Sequence, residues 1–490
     1  LFIDFCSLTL ISDPIWTQSG KCKLSAFNFL QELNMKKDLS RREFLQRSAG
    51  ATGALAASPR IFLAPEHIPL PLQSTPASER VRFGIIGIGM QGSGLLTNAI
   101  QLPGVECVAA ADLWDGRHTL AQEIVGKSIP TTRRYKELLD NKEIDCIVAA
   151  VPDHWHKQVV VDAVNAGKDI YCEKPMSHSV PDGLAMVAAA KKTGRIVQIG
   201  SQRVSSVICA KAKELLANGI IGTITLIEGT YGRNDPTGAW EYPPPPGLSP
   251  SNFDWDTWQG DTPKKPWDPD MSPKYFARWR CWREYGTGLA GDLLVHLVSG
   301  MNFMMGWNEP PRKAMAQGAI LRFKDGRDMP DVHATLFDYG EGRPPVYLRL
   351  NLGCSTPETY RFQGSHGILE VTEFNITYYP QSGVDEEPSY YAYGFPRAMR
   401  EAYFKQWHEE HDAKPGKEPL SEGQSYHGAS WDEEKPHLWK YFQAVKSRQP
   451  VVEDAVFGNN AALACHMANE SYFRKAAVTW DAATNTIKTE

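Results

Sequence analysis

From Val81 to Gly200 the apolar positions fall into short runs of strand length, alternating with segments whose apolar residues recur at helical spacing. Val81 to Ile86, Val105 to Ala111, Ile144 to Val151, Asp169 to Cys172 and Arg195 to Gly200 read as strands. The run from Ile144 to Val151 lacks the polar alternation of a half-exposed strand, as expected when both faces are covered. Tyr135 to Asp140, Lys157 to Ala166 with Gly167 as its C-cap, and Pro181 to Thr193 read as helices. Strand and helix in strict alternation predict a doubly wound parallel sheet.

Beyond residue 202 the pattern changes. Thr223 to Tyr231, Ala314 to Phe323, Val332 to Phe337, Val346 to Leu352, Thr359 to Gln363 and Gly367 to Val371 are strand candidates. In the fourth of them Val346, Leu348, Leu350 and Leu352 alternate with Tyr347, Arg349 and Asn351, the signature of a sheet with one buried face. Gly364-Ser365-His366-Gly367 reads as a hairpin turn. Gly291 to Met305 reads as an amphipathic helix, and two late helices, Trp439 to Ser447 and Phe457 to Arg474, are expected to pack back onto the first domain. The stretch Asn234 to Trp282, rich in proline and tryptophan, is expected to be irregular and to cover a site or a neighbouring subunit, with Trp240, Trp255, Trp258, Trp267, Trp279 and Trp282 either anchoring the loop by packing or offering flat faces to a sugar ring. The expectation is an α/β protein: an N-terminal Rossmann domain over residues 80–202 and a C-terminal α+β domain over residues 203–490 with an open, mainly antiparallel sheet.

The first seventy residues are set apart from this reasoning. Ser40-Arg41-Arg42-Glu43-Phe44-Leu45, followed by a small-residue apolar stretch from Ser48 to Ala57, resembles a twin-arginine export signal with Ala54-Leu55-Ala56 as a cleavage site. Met35 stands at the usual distance before such a signal, so residues 1–34 are read as lying ahead of the native start. The expected location is the periplasm. A formal net charge of −5 in 490 residues gives no basic field for nucleic acid or anionic lipid. Seven of the nine cysteines lie after the leader, without a Cys-x-x-Cys pair, so neither a disulfide framework nor a zinc site is expected.

Candidate chemistry begins at Gly87-Ile88-Gly89-Met90-Gln91-Gly92, directly after the first strand. Glycines there permit a tight turn and close backbone approach to a pyrophosphate at the next helix's N-terminus. Asp112 ends the second strand, where a carboxylate can accept both adenine-ribose hydroxyls and repel a 2′-phosphate. That favours NAD over NADP, with Arg117 close enough to weaken the preference. Ligands of such sheets sit beyond the strands' carboxyl ends, which singles out Pro152-Asp153-His154-Trp155-His156, Glu173-Lys174-Pro175 and Ser201-Gln202-Arg203. His154 and His156 are two apart without a suitably spaced third ligand, so no metal is expected.

Gly87 to Gly92, Pro152-Asp153-x-x-His156 and above all Glu173-Lys174-Pro175 resemble the glucose–fructose oxidoreductase/inositol dehydrogenase family, often called Gfo/Idh/MocA. Phe253-Asp254-Trp255-Asp256-x-Trp258-x-Gly260 and Gly288-x-x-x-Asp292-x-x-x-His296 are similar to its secreted twin-arginine branch. The resemblance implies catalytic roles for Lys174, His296 and Asp292. It also implies cofactor contacts from Gly87, Gly89, Met90, Gln91, Gly92, Asp112, Pro152, His156, Glu173, Lys174 and Gln202. Chemistry supports the first set: hydride transfer from a carbinol carbon needs a base for the hydroxyl proton and a donor to the oxygen. Asp292 and His296, four apart on a helix, are expected to share a face, with the carboxylate raising the imidazole's basicity or binding a sugar hydroxyl. The chain departs from the branch pattern at Ser299, where many relatives carry a second acid. The expected activity is oxidation of a sugar, cyclitol or glycoside hydroxyl with tightly held NAD. The alternatives are glycoside cleavage through transient oxidation, and sugar binding without chemistry. A homo-oligomer is expected from the family's use of its open sheet. Arg278, Arg280 and Arg283 are candidates to orient a carboxylate or ring hydroxyls.

Overall fold

The computed structural model describes residues 60–65, 68, 76–381, 389–411, 423–428 and 433–490. The twin-arginine motif and everything before it lie outside these residues. Six parallel strands form the first sheet: β2 (Val81–Ile86), β3 (Val105–Ala111), β4 (Thr131–Thr132), β5 (Cys146–Ala149), β6 (Asp169–Cys172) and β7 (Val197–Ile199), in the order β4-β3-β2-β5-β6-β7. Helices α1 (Met90–Ala99), α2 (Asp115–Val125), α3 (Lys136–Asp140), α4 (His156–Asn165) and α5 (Val180–Thr193) connect them. β5 and β6 are buried along their whole length, which accounts for the unbroken apolar run at Ile144.

The polarity switch in the sequence marks a second sheet. After α6 (Val207–Ala217) come β8 (Ile224–Gly232), α7 (Val295–Met305), β9 (Lys313–Ala319), β10 (Val332–Asp338), β11 (Val346–Asn351), β12 (Thr356–Gly364), β13 (Gly367–Thr372), β14 (Asn375–Pro380) and β15 (Gln424–Gly428). With β1 (Arg60–Leu63), β16 (Val478–Asp481) and β17 (Thr486–Thr489) these make an eleven-stranded, mainly antiparallel sheet, in which β8/β11 and β1/β15 pair in parallel. Val346, Leu348 and Leu350 point into the core, as their alternation predicted. The turn at Gly364–Gly367 joins β12 to β13.

Two expectations need correction here. Arg60–Leu63, set aside with the leader, pairs with Ser425–Gly428 at the edge of the large sheet. Four extended residues give too little pattern to be told from a leader's tail. The segment expected as an amphipathic helix from Gly291 is instead a π turn, Ala290–Leu294, running into α7, and every residue from Ala290 to Asn302 is buried. It runs between the large sheet and the nucleotide-type domain, where both faces are covered.

The late helices α8 (Glu434–Ser447) and α9 (Ala455–Arg474) complete the first domain's core. Leu438, Tyr441 and Phe442 pack with Phe83 and Ile85, Ala455 and Ala462 pack with Ile170 and Ile199, and the Tyr441 hydroxyl donates to the Ile147 carbonyl at 3.0 Å. No helix among the described residues is long and apolar enough to cross a membrane.

Candidate active site

The glycine-rich turn needs its glycines. Gly87 has φ +84°, and a Cβ there would lie 2.4 Å from the Ala150 carbonyl oxygen; one on Gly92 would lie 2.0 Å from the Gly87 carbonyl oxygen. The chain therefore passes close under the N-terminus of α1, leaving that end's N–H groups to an anion. A Gly92→Ala variant is expected to lose at least about a hundredfold in nucleotide affinity, because backbone rather than a flexible side chain must give way. Nicotinamide released on denaturation, compared with wild type, measures it.

Asp112, 8% exposed, accepts from the N–H of Ile88 at 2.8 Å, from the N–H of Trp114 at 3.0 Å and from Arg117 at 3.3 Å. Arg117 also lies over the Phe276 ring at 4.7 Å. Beside them is a cleft lined by Asp112, Arg117, Tyr135, Pro152, Trp258 and Phe276. The last two come from the aromatic segment, which supplies a wall the nucleotide domain lacks. It is stitched there by backbone bonds Asp115 N–H to Asn252 O (3.0 Å) and Asp254 N–H to Leu113 O (3.0 Å), and by Trp155 Nε1–H to Trp258 O (2.8 Å). The Nε1–H of Trp258 is buried without a partner among the described residues, as expected of a wall built against a polar ligand.

Of the two roles open to these indoles, anchoring the loop and stacking on a sugar ring, the packing one is seen for Trp255 and Trp258. Phe253, Trp255, Trp258, Phe276 and Tyr285 pack on one another, with Trp255 and Trp258 stacked at 5.2 Å, and the group closes the Asp112 end of the cleft. Aromatic richness alone does not reveal which ligand end a segment will meet.

At the end of β6, Lys174 Nζ donates to both Oδ1 and the main-chain oxygen of Asp292, each at 2.8 Å. Arg280 Nε donates to the same Oδ1 at 3.0 Å, Trp240 Nε1 to Oδ2 at 3.0 Å, and Arg233 lies 4.0 Å from Oδ2. These cations outweigh burial and hold the Asp292 carboxyl well below the usual carboxylate range. Trp240 reaches its place with φ +63°, a backbone region that L residues avoid. His296, 8% exposed, has its pKa pushed well below the ordinary imidazole value by burial and then by Lys174, against the opposing pull of Asp292. Asp292 does pull the histidine upward, as expected, but burial and Lys174 outweigh it. The π turn offsets the two residues, the carboxylate is turned to Lys174, and His296 Nδ1 is buried without a partner among the described residues. Ser299, wholly buried, donates to the main-chain oxygen of His296 at 3.3 Å, as does Tyr360 at 2.9 Å.

Glu173 sits beneath this group. Its carboxylate receives Gln91 at 3.2 Å, Tyr171 at 3.3 Å, Gln202 at 3.4 Å and the Lys174 N–H at 3.2 Å. Burial pushes its pKa up to about 7, partly opposed by Lys174. The folded chain thus holds this proton more tightly than the unfolded chain. The resulting stability is complete below the ordinary glutamate value and is lost as pH rises toward 7. Glu173→Gln is expected to flatten this dependence, which amounts to about 3 kcal/mol in wild type, in urea unfolding followed from pH 4.5 to 7.5.

Other expected contacts fall differently. Both ring nitrogens of His156 meet backbone carbonyls, Pro175 O at 2.7 Å and Val151 O at 2.9 Å, and the ring is 1% exposed. This corrects its assignment as a cofactor contact: it fastens the Pro152 and Pro175 loops together and keeps no polar atom for a ligand. Gln91 is shared between Glu173 and, at 2.9 Å, Glu434 of α8. Met90 is exposed at the mouth of the glycine turn. Arg203 forms a buried fork with Glu358 and pairs with Glu433. Of the three candidate arginines only Arg280 reaches Asp292; Arg278 donates to Tyr242 O, and Arg283 pairs with Glu470. Arg233 had no signal in the sequence, and Trp240, one of the indoles singled out there, acts through its N–H on Asp292 rather than through its ring face. No group of His, Cys, Asp and Glu among the described residues is arranged to hold a metal ion.

A parallel six-stranded sheet joined to a large, mainly antiparallel sheet, with a lysine, a histidine and a carboxylate brought together, is the α/β architecture that fold and site define. Residues 81–201 match the family model described as the oxidoreductase family with NAD-binding Rossmann fold, GFO_IDH_MocA. Inositol 2-dehydrogenase of Salmonella paratyphi B is 31% identical over 153 residues, covering 31% of this chain and 46% of that protein. Glycosyl hydrolase family 109 protein 1 of Bacteroides fragilis is 25% identical over 267 residues, 53% of this chain and 52% of that one. The matched stretch thus spans about half the length of these curated relatives. A levoglucosan dehydrogenase solved with NADH and levoglucosan superposes with a TM-score of 0.58 at 17% identity, over 82% of this chain and 99% of its own. Aldose-aldose oxidoreductase from Caulobacter crescentus does so with 0.57 at 16%, over 82% and 99%. These two likenesses establish the fold.

Proposed function

We propose that this chain is an oxidoreductase that keeps NAD bound and moves hydride between it and a hydroxyl-bearing carbon of a sugar, cyclitol or glycoside. The observation that carries this reading is the convergence of Lys174 and a neutral, buried His296 beside the carboxyl ends of the nucleotide-domain strands. Gly87, Gly89, Met90, Gln91 and Gly92 would hold a pyrophosphate at the N-terminus of α1. Asp112 would take the adenine ribose, with Trp258 donating nearby, and Pro152 and Gln202 would border the nicotinamide end. The bound nucleotide would supply the hydride acceptor.

The chain's own groups do the rest. Two of the three Lys174 N–H bonds are engaged by Asp292, which aims the third. That N–H donates to the substrate oxygen as the oxygen becomes a carbonyl. His296, neutral at working pH, accepts the hydroxyl proton on its ring. Asp292, fully engaged by its cationic partners, keeps Lys174 pointed. The aromatic wall supports retention of the nucleotide, because leaving the cleft would require displacing a segment tied to the first domain at several points.

The test is to purify the protein, denature it and assay released nicotinamide, then screen sugars and cyclitols for reduction of the bound nucleotide. Absence of nucleotide together with failure to bind added NAD would end the reading. Glycoside cleavage through transient oxidation is a second reading, favoured by the longer match to the family 109 protein. Release of aglycone without net reduction would select it. Export by the twin-arginine route is proposed from residues 40–57 and is checked by fractionating cells that carry an Arg41→Lys, Arg42→Lys variant. A homo-oligomer is proposed through the open face of the large sheet, where Met315 and Leu336 are exposed as a cross-strand pair. Light scattering measures it.

A further inference from the structure

The charges at the reaction centre do not suit a neutral sugar. Lys174, Arg280 and Arg233 converge on the single carboxylate of Asp292. Arg203, farther along, is balanced by its own partners Glu358 and Glu433. Two further acids act on the group at longer range: Asp153, whose carboxylate is occupied by the Thr287 N–H and hydroxyl, and Glu373, which faces Arg203 and Arg233. Neither forms an ion pair with Arg280 or Arg233 among the described residues.

Arg280 is the informative member. Its side chain is 22% exposed and lies on the Trp279 ring at 4.1 Å, which fixes the guanidinium plane. Only Nε is used, toward Asp292; the two terminal nitrogens have no hydrogen-bond partner among the described residues. A planar fork with parallel N–H bonds matches a carboxylate, whereas a lone sugar hydroxyl engages one donor at a time. Holding several cations around one acid in a largely buried site is unfavourable until an anion joins them. His296 Nδ1, buried and unpartnered, leaves a further polar group for the substrate in the same centre.

We propose that the substrate is a sugar acid, such as a uronic acid or a glycoside of one, whose carboxylate is gripped by the free fork of Arg280 with Arg233 alongside. This rests on the sugar-oxidoreductase reading and narrows it. The carboxylate anchors one end of the ring and sets which hydroxyl carbon meets Lys174 and His296. Arg280 is thus a specificity-determining contact separate from the proton-handling pair.

Calorimetry on the purified protein with its bound nucleotide tests this with galacturonate and glucuronate, each against its neutral aldohexose and the hexose 6-phosphate. At least one uronate is expected to bind tenfold or more tighter than its neutral counterpart. Arg280→Gln is expected to erase that preference and Arg280→Lys to restore it in part, with thermal melts confirming that the variants fold. Equal binding of neutral sugar, an unchanged preference in Arg280→Gln, preference for the phosphate, or no binding of any uronate would each overturn the proposal. Nucleotide content and its reduction are read on the same samples. A protein that reduces its nucleotide with neutral sugars alone refutes the sugar-acid proposal and keeps the oxidoreductase reading; one that binds uronates but holds no nucleotide does the reverse.

Discussion

Lys174→Ala is expected to lower turnover by at least about a thousandfold, equivalent to about 4 kcal/mol of transition-state stabilisation, while nicotinamide content stays at the wild-type level. The loss follows from geometry. In the proposed mechanism Lys174 is the donor whose remaining N–H is aimed by Asp292, and alanine leaves Arg280 and Arg233 on that carboxylate with nothing directed at the reacting oxygen. Retention follows too, since the glycine turn and the aromatic wall do not depend on the lysine side chain. Turnover above one tenth of wild type, measured under single-turnover conditions, would take Lys174 out of the mechanism. Loss of nucleotide along with activity would make its role structural.

Asp292→Ala is expected to cost about 3–5 kcal/mol of folding stability, the usual penalty for removing one partner of a buried ion pair. Here Lys174, Arg280 and Arg233 would face one another without their shared anion, and the indole N–H of Trp240 would lose its acceptor. Urea unfolding with the nucleotide state held constant measures it. A second variant separates charge from packing: Arg280→Ala added to Asp292→Ala is expected to recover part of the loss, because one uncompensated cation is gone. An additive double variant would show that repulsion among the cations is not the cause.

The order of elements in the nucleotide domain could be read residue by residue because each unit there is locally specified. β2, β3 and β6 begin and end where the apolar runs do, and a sheet covered on both faces leaves no polar alternation to confuse the reading. The glycine turn was legible for the same reason, since its requirement is a backbone geometry that few residues satisfy. The large sheet was legible in part. Six of its strands show in the pattern, whereas β1, β14, β15, β16 and β17 are short, lie toward its edges or carry polar residues on both faces. The site was half legible. Lys174, Asp292 and His296 were named from spacing and resemblance, yet the helical period misplaced the relation between the last two because a π turn leaves no periodic trace.

What the sequence determined on its own was local: the alternating nucleotide fold, the strand-to-helix turn that tolerates only glycine, and the presence of a lysine at one strand end and a histidine beyond a carboxylate. Tertiary structure decided how these act on one another. Asp292 serves the lysine rather than the histidine, and the tryptophan-rich segment walls the Asp112 end of the cleft. Of three neighbouring arginines it is Arg280 that reaches Asp292. The reason is physical: turn chemistry and apolar period act over a few residues of chain. The sign of a pKa shift and the choice of ion partner depend on burial and on charges from twelve to more than a hundred residues apart, which only folding brings within a few ångströms.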